Sequence, residues 1–470
     1  MCGTKNNVLK DSSQNANFIT SVNYMLEKPY LKISGFILAL AFFFVPLLSF
    51  AEYDYIDITD PFLRKIPLAI PFFKTFTGGQ AEAKASITAS DLLAESLEFT
   101  GYFKILDRGA FLEDPRSAGI AESVVKFSDW TAIGAELLIT GGVLIDESKD
   151  DRVVEMELRL YDTFKMKLLL GKRYKGWADD QRRIIRRFCS EVIFLLTGNK
   201  GIFNSKIAFV STGTGNKEIF TCEYDGYKPA RFTNNNSITL SPAWSSDGKW
   251  LAYTSYKKGN PDLYIRHVSQ NRGVIVAERG INITPAWMPG EFRLASTHSF
   301  SNDQEIYLLN GYGKIIRKLT NNKGIDTSPA WSPDGAKMAF VSRRSGTPQI
   351  YIKNFSTNSV KRLTFNSHYN TQPSWSPKGD KIAYSSMQSG LVDIYVIGVD
   401  GKGLVQLTHN SGNNESPTWS PDGSLIAFSS TREGPSRIYV MTSSGTDQRR
   451  LLSLPGEQTD PAWSPGVINY

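Results

Sequence analysis

The side chains best suited to chemistry are few and dispersed. His267, His298, His368 and His409 are the four histidines, and none stands at metal-ligand spacing from another. No Gly-x-Ser-x-Gly elbow, His-Glu-x-x-His pair or phosphate-cradling glycine loop occurs. Many carboxylates fall in turns such as Asp334-Gly335 and Asp422-Gly423, where Asp hydrogen-bonds its own backbone. What remains is a polar set just ahead of a repeated Pro-x-Trp element: Asn282, Asp326, Thr327, Asn370, Thr371, Asn414, Glu415 and Asp460. Amides, hydroxyls and carboxylates of this kind present hydrogen bonds to a partner. Asp326, Glu415 and Asp460 are the acidic candidates for the convergent titratable groups that catalysis would need.

The elements that position these residues follow from the repeat. Pro-x-Trp occurs six times, with Trp244, Trp287, Trp331, Trp375, Trp419 and Trp463 spaced 43 or 44 residues apart. A register so constant is kept where each unit packs on the next. The fullest copies, Ser328 to Ser342 (SPAWSPDGAKMAFVS) and Ser416 to Ser430 (SPTWSPDGSLIAFSS), read as a strand, a Gly-containing turn and a second alternating strand. An Ile-Tyr pair such as Ile350-Tyr351 marks a third strand and Arg362-Leu363-Thr364 a fourth. Four short strands per unit is the pattern of a β-propeller blade, and polar residues preceding six inward-running strands converge on one concave patch. The unit around Trp287 lacks the Ser-Pro-Asp-Gly turn and is expected to differ there while keeping its blade. Second strands begin near Ile207, Leu251, Leu294, Met338, Ile382 and Ile426, but the first has no Pro-x-Trp ahead of it, and Pro461-Ala462-Trp463 has only seven residues after it. Pairing these two ends closes a six-bladed ring and removes its open edges.

Residues 66–203 differ in character. Ile66 to Phe73, Tyr102 to Leu106, Leu137 to Ile145, Val153 to Tyr161 and Leu168 to Trp177 read as strands. Thr88 to Phe99 reads as a helix with Thr88 and Asp91 at capping-box spacing. A last helix, Asp179 to Leu196, puts Ile185, Phe188, Val192 and Leu195 on one face. Arg182, Arg183, Arg186 and Arg187 lie mostly on the other, which reads as solvated. The fold expected is mainly β: a small α/β domain (66–203) followed by a six-bladed propeller (204–470).

At the start of the chain, Lys28 and Lys32 precede an apolar run from Ile33 to Phe50, followed by Ser49-Phe50-Ala51. This reads as a secretory signal cleaved after Ala51, with Met25 as an alternative start and a membrane anchor as the competing reading. Cys189 and Cys222 remain after the leader, too few for a disulfide framework; two buried thiols or a single bridge are the options. The net charge of +7 comes from 53 basic and 46 acidic residues spread along the chain, so no nucleic-acid partner is expected.

The chain resembles the TolB family of periplasmic proteins of the Tol-Pal cell-envelope system. The likeness rests on the six Pro-x-Trp units ending at PAWSP, on the strand Ile66 to Phe73, on Leu195-Leu196-Thr197-Gly198 leading to Gly201-Ile202-Phe203, and on Tyr224-Asp225-Gly226-Tyr227. The resemblance implies a monomeric, non-catalytic periplasmic scaffold that supports outer-membrane integrity and constriction at cell division. It implies that the propeller mouth, with the eight polar residues above, binds the lipoprotein Pal. The mature N-terminal segment (52–65), with Glu52, Tyr53, Asp54, Tyr55, Ile56, Asp57 and Ile58, would bind TolA, pairing as an added strand or else capping its own domain. No cofactor is expected, although a calcium ion in the channel is left open. The rival expectation is an exported propeller enzyme or a carbohydrate- or ligand-binding protein using that channel.

Overall fold

The computed structural model describes residues 64–466, except 115, 117–118, 147–152, 277–279 and 302. The leader, the Ala51 cleavage site and segment 52–58 therefore lie outside the described residues. Within them, no helix is long and apolar enough to cross a membrane.

The N-terminal domain is built on a sheet whose strands run in the order Phe103–Ile105, Ile66–Ala69, Leu137–Asp146, Val153–Asp162, Lys167–Trp177. The first three are mutually parallel and the last two continue as antiparallel neighbours. Lys74–Thr75 adds to the far end of Leu137–Asp146. Helices α1 (Gln80–Phe99) and α3 (Gln181–Thr197) pack on each other and on one face of the sheet, and the short α2 (Phe127–Ala132) covers the other. Strand alternation assigns the faces: Leu137, Ile139, Val143 and Ile145 join the core under α1 and α3, whereas Leu138 joins Phe127 and Trp130. The glycine pair in this strand is sterically required, since a Cβ on Gly141 would stand 2.6 Å from Phe73 and one on Gly142 2.7 Å from Phe76.

Two expectations about helices are corrected. The first helix begins at Gln80, not Thr88, so Thr88 and Asp91 are mid-helix and form no capping box. The segment ahead of Thr88 is rich in good helix formers, and Glu82 in its first turn ties the helix to the preceding loop and to the sheet. Its buried carboxylate accepts the backbone N–H groups of Phe76, Thr77 and Gly78 at 2.9 to 3.3 Å, and that of Ile145 at 3.0 Å. In α3 the buried stripe is Ile185, Phe188, Cys189, Val192 and Leu196, whereas Leu195 is exposed.

Nor is the arginine face of α3 wholly solvated. Arg183 and Arg187 are exposed, but Arg182 and Arg186 reach Glu223 and Asp225 of the propeller. Their guanidinium groups lie over the rings of Tyr227 and Tyr224, 3.9 and 5.1 Å from the centroids. Tyr224 is buried against Phe99 and Phe203 in edge-on contacts, and its hydroxyl donates to Ser96 Oγ at 3.1 Å. One hydrophobic core accordingly runs from Leu68 of the sheet through Phe188 and Phe203 to Leu425 and Trp463 of the propeller. Cys189 and Cys222 both belong to it as free thiols, their pKa values pushed up by burial.

The propeller consists of six four-stranded antiparallel sheets. Blade 1 takes its innermost strand, Gln458–Trp463, from the end of the chain and its other three from the beginning. Blades 2 to 6 start with Thr239–Trp244, Asn282–Trp287, Asp326–Trp331, Tyr369–Trp375 and Asn414–Trp419. Each innermost strand contacts the next, and the last contacts the first. The closing pair sets Gln458 opposite Ser211 and Trp463 opposite Ile207.

Two sequence signatures acquire physical roles. The Trp indole N–H crosses to the preceding blade: Trp244 donates to Ala462 O, Trp287 to Ala243 O, Trp331 to Ala286 O and Trp419 to Ser374 O, at 3.0 to 3.1 Å. Trp463 donates to Ser205 Oγ at 2.8 Å instead. The Thr that ends each Leu-Thr pair locks its blade. Thr320 and Thr408 donate to Glu305 and Asp393 while accepting the N–H of Ile306 and Ile394, and Thr364 does the same with Gln349 and Ile350. In the divergent unit Phe292 stacks on Trp287 where other blades brace the turn with Ser and Asp.

Candidate partner-binding surface

Each innermost strand carries the same three-residue device at or next to its start. The first residue, Thr239, Asn282, Asp326, Asn370, Asn414 or Gln458, is completely buried. The second, among them Thr327, Thr371, Glu415 and Thr459, is half-buried or exposed. The third, directly before the proline, has positive φ in every blade: Ser241, Thr284, Ser328, Gln372, Ser416 and Asp460 all lie between 49° and 56°. Non-glycine residues adopt this conformation only where the surroundings over-determine it. Here it coincides with a break in strand register in each blade.

The third residues are linked around the channel. Gln372 Nε2 donates to Ser416 Oγ at 2.8 Å, and Ser416 N–H donates back to Gln372 Oε1 at 3.0 Å. Ser416 Oγ donates to Asp460 Oδ1 at 3.1 Å, and the Asp460 carboxylate also accepts the backbone N–H of Ser241. On the opposite arc Thr284 Oγ1 lies 2.8 Å from Thr297 Oγ1, which donates to Thr327 Oγ1 at 3.2 Å. Burial raises the pKa of Asp460, and burial with the Asp460 charge raises that of Glu415.

The eight residues singled out from sequence therefore come from three different positions of this device. Asn282, Asp326, Asn370 and Asn414 are not offered to a partner, because each is consumed inside its blade. Asn282 Oδ1 lies 2.7 Å from Nδ1 of the buried His298, and Asp326 pairs with Arg344 at 2.8 Å. Asn370 donates to Gln349 at 2.9 Å and Asn414 to Asp393 at 3.0 Å. Thr327, Thr371 and Asp460 are half-buried and Glu415 is exposed near the start of the innermost strands. Ser241, Thr284, Ser328, Gln372 and Ser416 were missed, although all six third residues stand at one fixed offset, immediately before the Pro of Pro-x-Trp. The histidines do not assemble: His368 and His409 are exposed, while His267 and His298 are buried rather than surface groups. Burial lowers the pKa of His298 to about 4. Among the described residues no group of three or more His, Cys, Asp or Glu side chains could hold a metal ion.

An apolar rim borders the same end of the ring. Tyr369 opens the innermost strand of blade 5 opposite Met387, and Leu391 follows at the tip of that hairpin. All three are exposed, as is Phe365 at 72%, one loop away. The corresponding hairpin of blade 3 carries exposed Phe300. The strands flanking these tips, Lys381–Gln388 with Leu391–Gly398 and Arg293–Ser301 with Asp303–Asn310, are eight or nine residues long against six in the other blades. Two hairpins thus project beyond the rest.

A family model described as the TolB beta propeller domain matches residues 194–467, more than half of the chain, and one described as the TolB amino-terminal domain matches residues 54–169. The chain belongs to the TolB family. The Tol-Pal system protein TolB of Desulfosudis oleivorans is 57% identical over 278 residues, 59% of this chain and 63% of that protein. A protein TolB homolog from Chlorobaculum tepidum is 43% identical over 279 residues, 59% of this chain and 62% of its own length. These matches thus span less than two thirds of either relative. The crystal structure of TolB from Acinetobacter baumannii superposes with a TM-score of 0.73 at 27% identity, covering 86% of this chain and 97% of that one.

Proposed function

We propose that this protein is the TolB component of a Tol-Pal system: a periplasmic scaffold without turnover or cofactor, which binds Pal at the propeller mouth. The observation that carries the reading is the combination of the hydrogen-bonded residues Gln372, Ser416 and Asp460, with Thr327, Thr371 and Glu415 beside them, and the projecting apolar rim of Phe365, Tyr369, Met387 and Leu391. A polar, pre-organised centre beside exposed apolar side chains suits a protein partner. The name of the Desulfosudis relative supports the system, and the matched amino-terminal domain supports a role for segment 52–58 as the contact for TolA.

The enzymatic alternative draws on the raised pKa values of Glu415 and Asp460. Asp460, however, already accepts Ser416 Oγ and the N–H of Ser241.

The test is affinity capture of the Pal domain from the same organism on the purified chain from Glu52 to Tyr470. Wild type should retain Pal, and the double variant Glu415→Ala, Phe365→Ala should lose at least tenfold in affinity without a fall in its unfolding temperature. Failure of the wild-type chain to retain Pal would sink the reading.

A further inference from the structure

Blade 4 departs from its neighbours on the flank facing blade 3. At one register position of the third strand, four blades carry apolar side chains, Cys222, Leu309, Ile397 and Met441, opposite Ile207, Leu294, Ile382 and Ile426, and blade 2 carries Arg266 opposite Leu251. In blade 4 that position is Lys353, opposite Met338. A cleft of about 470 Å³ opens beside it, lined by Lys318 and Asn321 of blade 3 and by Arg344, Lys353 and Asn358 of blade 4, with Thr320 between them. This volume lies in the range of small-molecule sites.

The charges in the cleft do not balance. Lys318, Arg344 and Lys353 line it, and Arg317 is close enough to disfavour the Lys353 cation. The carboxylates set against them are Glu305, 3.3 Å from Lys318, and Asp326, 2.8 Å from Arg344. Both are buried and already engaged from inside, Glu305 by Thr320 and the N–H of Asn322. Lys353 has no carboxylate partner among the described residues and rests near the Phe355 ring. Burial and the two arginines lower its pKa. Counted with Arg317, which stands outside the lining, four cations face two carboxylates, and the two positive charges left over would be half satisfied by a monocarboxylate. A phosphomonoester, carrying roughly −1.5 to −2 near neutral pH, matches them. Asn321 Oδ1 accepts Lys318 Nζ at 3.1 Å, and the exposed Asn358 amide offers hydrogen bonds to a polar body beyond the phosphate.

We infer that the cleft between blades 3 and 4 is a binding site for a small phosphorylated molecule of about monosaccharide size, with Lys353, Lys318 and Arg344 holding the phosphate. The site is separate from the channel ring and does not depend on the Pal reading.

Titration calorimetry of the full chain with glucose 1-phosphate, inorganic phosphate and glucose is the test, at fixed ionic strength because charge-driven binding is screened by salt. Glucose 1-phosphate should bind more tightly than phosphate, and glucose should give no heat. Lys353→Met, which installs the residue that blade 6 carries at this position, should weaken binding at least tenfold. Should that variant misfold, Asn358→Asp places a carboxylate at an exposed lip and should weaken binding likewise. No binding of either phosphate ligand by wild type, equal binding by glucose, or unchanged affinity in a folded variant would overturn the site.

Discussion

His298 illustrates how a single side chain ties the stability of this propeller to pH. Its Nδ1 faces Asn282 Oδ1 at 2.7 Å and its Nε2 faces Ser296 Oγ at 2.6 Å, an arrangement that suits the neutral ring. The folded-state pKa of about 4 lies below the ordinary value of 6.5, so the unfolded chain binds the proton more readily. Stability from this group is complete above 6.5 and is lost as pH falls toward 4, up to roughly 3 kcal/mol. Urea unfolding of His298→Gln should show a shallower loss of stability across that window than wild type. Glu415 works in the opposite sense. Its pKa is raised above the ordinary 4.5, so its ionisation costs stability as pH rises through the raised value. Glu415→Gln should therefore stabilise the protein more at pH 7.5 than at pH 5, measured as the difference in unfolding temperature between variant and wild type.

Among the repeated elements, the Trp clamp gives the sharpest comparison. Trp331 and Trp375 occupy equivalent positions and are equally buried, yet Trp331 donates to Ala286 O while the Trp375 indole N–H finds no acceptor. Replacing each by Phe removes similar packing but only one hydrogen bond. Trp331→Phe should therefore be more destabilising than Trp375→Phe by about 1 kcal/mol in chemical denaturation. The blades were legible in the sequence because a Trp every 44 residues, turn glycines and two-residue alternation are all local signals. The site was half legible. Counting back from Trp located the innermost strands, but side-chain direction at their first residues depends on a bulge and on positive φ at residues such as Ser328 and Gln372. No propensity marks a serine or glutamine for that conformation, so buried Asn370 and half-buried Thr371 looked alike. The start of α1 was hidden for a related reason: Glu82 anchors its first turn through four backbone groups outside the helix, one of them 63 residues away at Ile145.

For the whole molecule, the decisive feature is that the two domains share one core and a desolvated charge cluster. Arg186 is almost buried between Glu223, Asp225 and the Tyr224 ring. Arg186→Ala leaves two carboxylates in that setting with Arg182 alone, which should cost about 3 kcal/mol. Because the apolar contacts remain, calorimetry should show one transition at lower temperature. Tyr224→Ala, which removes the aromatic hub joining Phe99 to Phe203, should instead separate the domain and the propeller into two transitions. The arginines on α3 read from sequence as a polar helix face because the acidic partners lie about 40 residues away, in a hairpin of another domain. The ring closure carries a consequence in time. The strand Lys206–Ser211 waits for a partner encoded some 250 residues later, Gln458–Trp463. During synthesis its edge stays open until that strand has been made, and only then can the loop close at its full entropic cost. A stop codon ahead of Gln458 should consequently yield no working five-bladed remnant, but a chain with an unpaired strand edge, prone to aggregation and to capture by quality-control proteases.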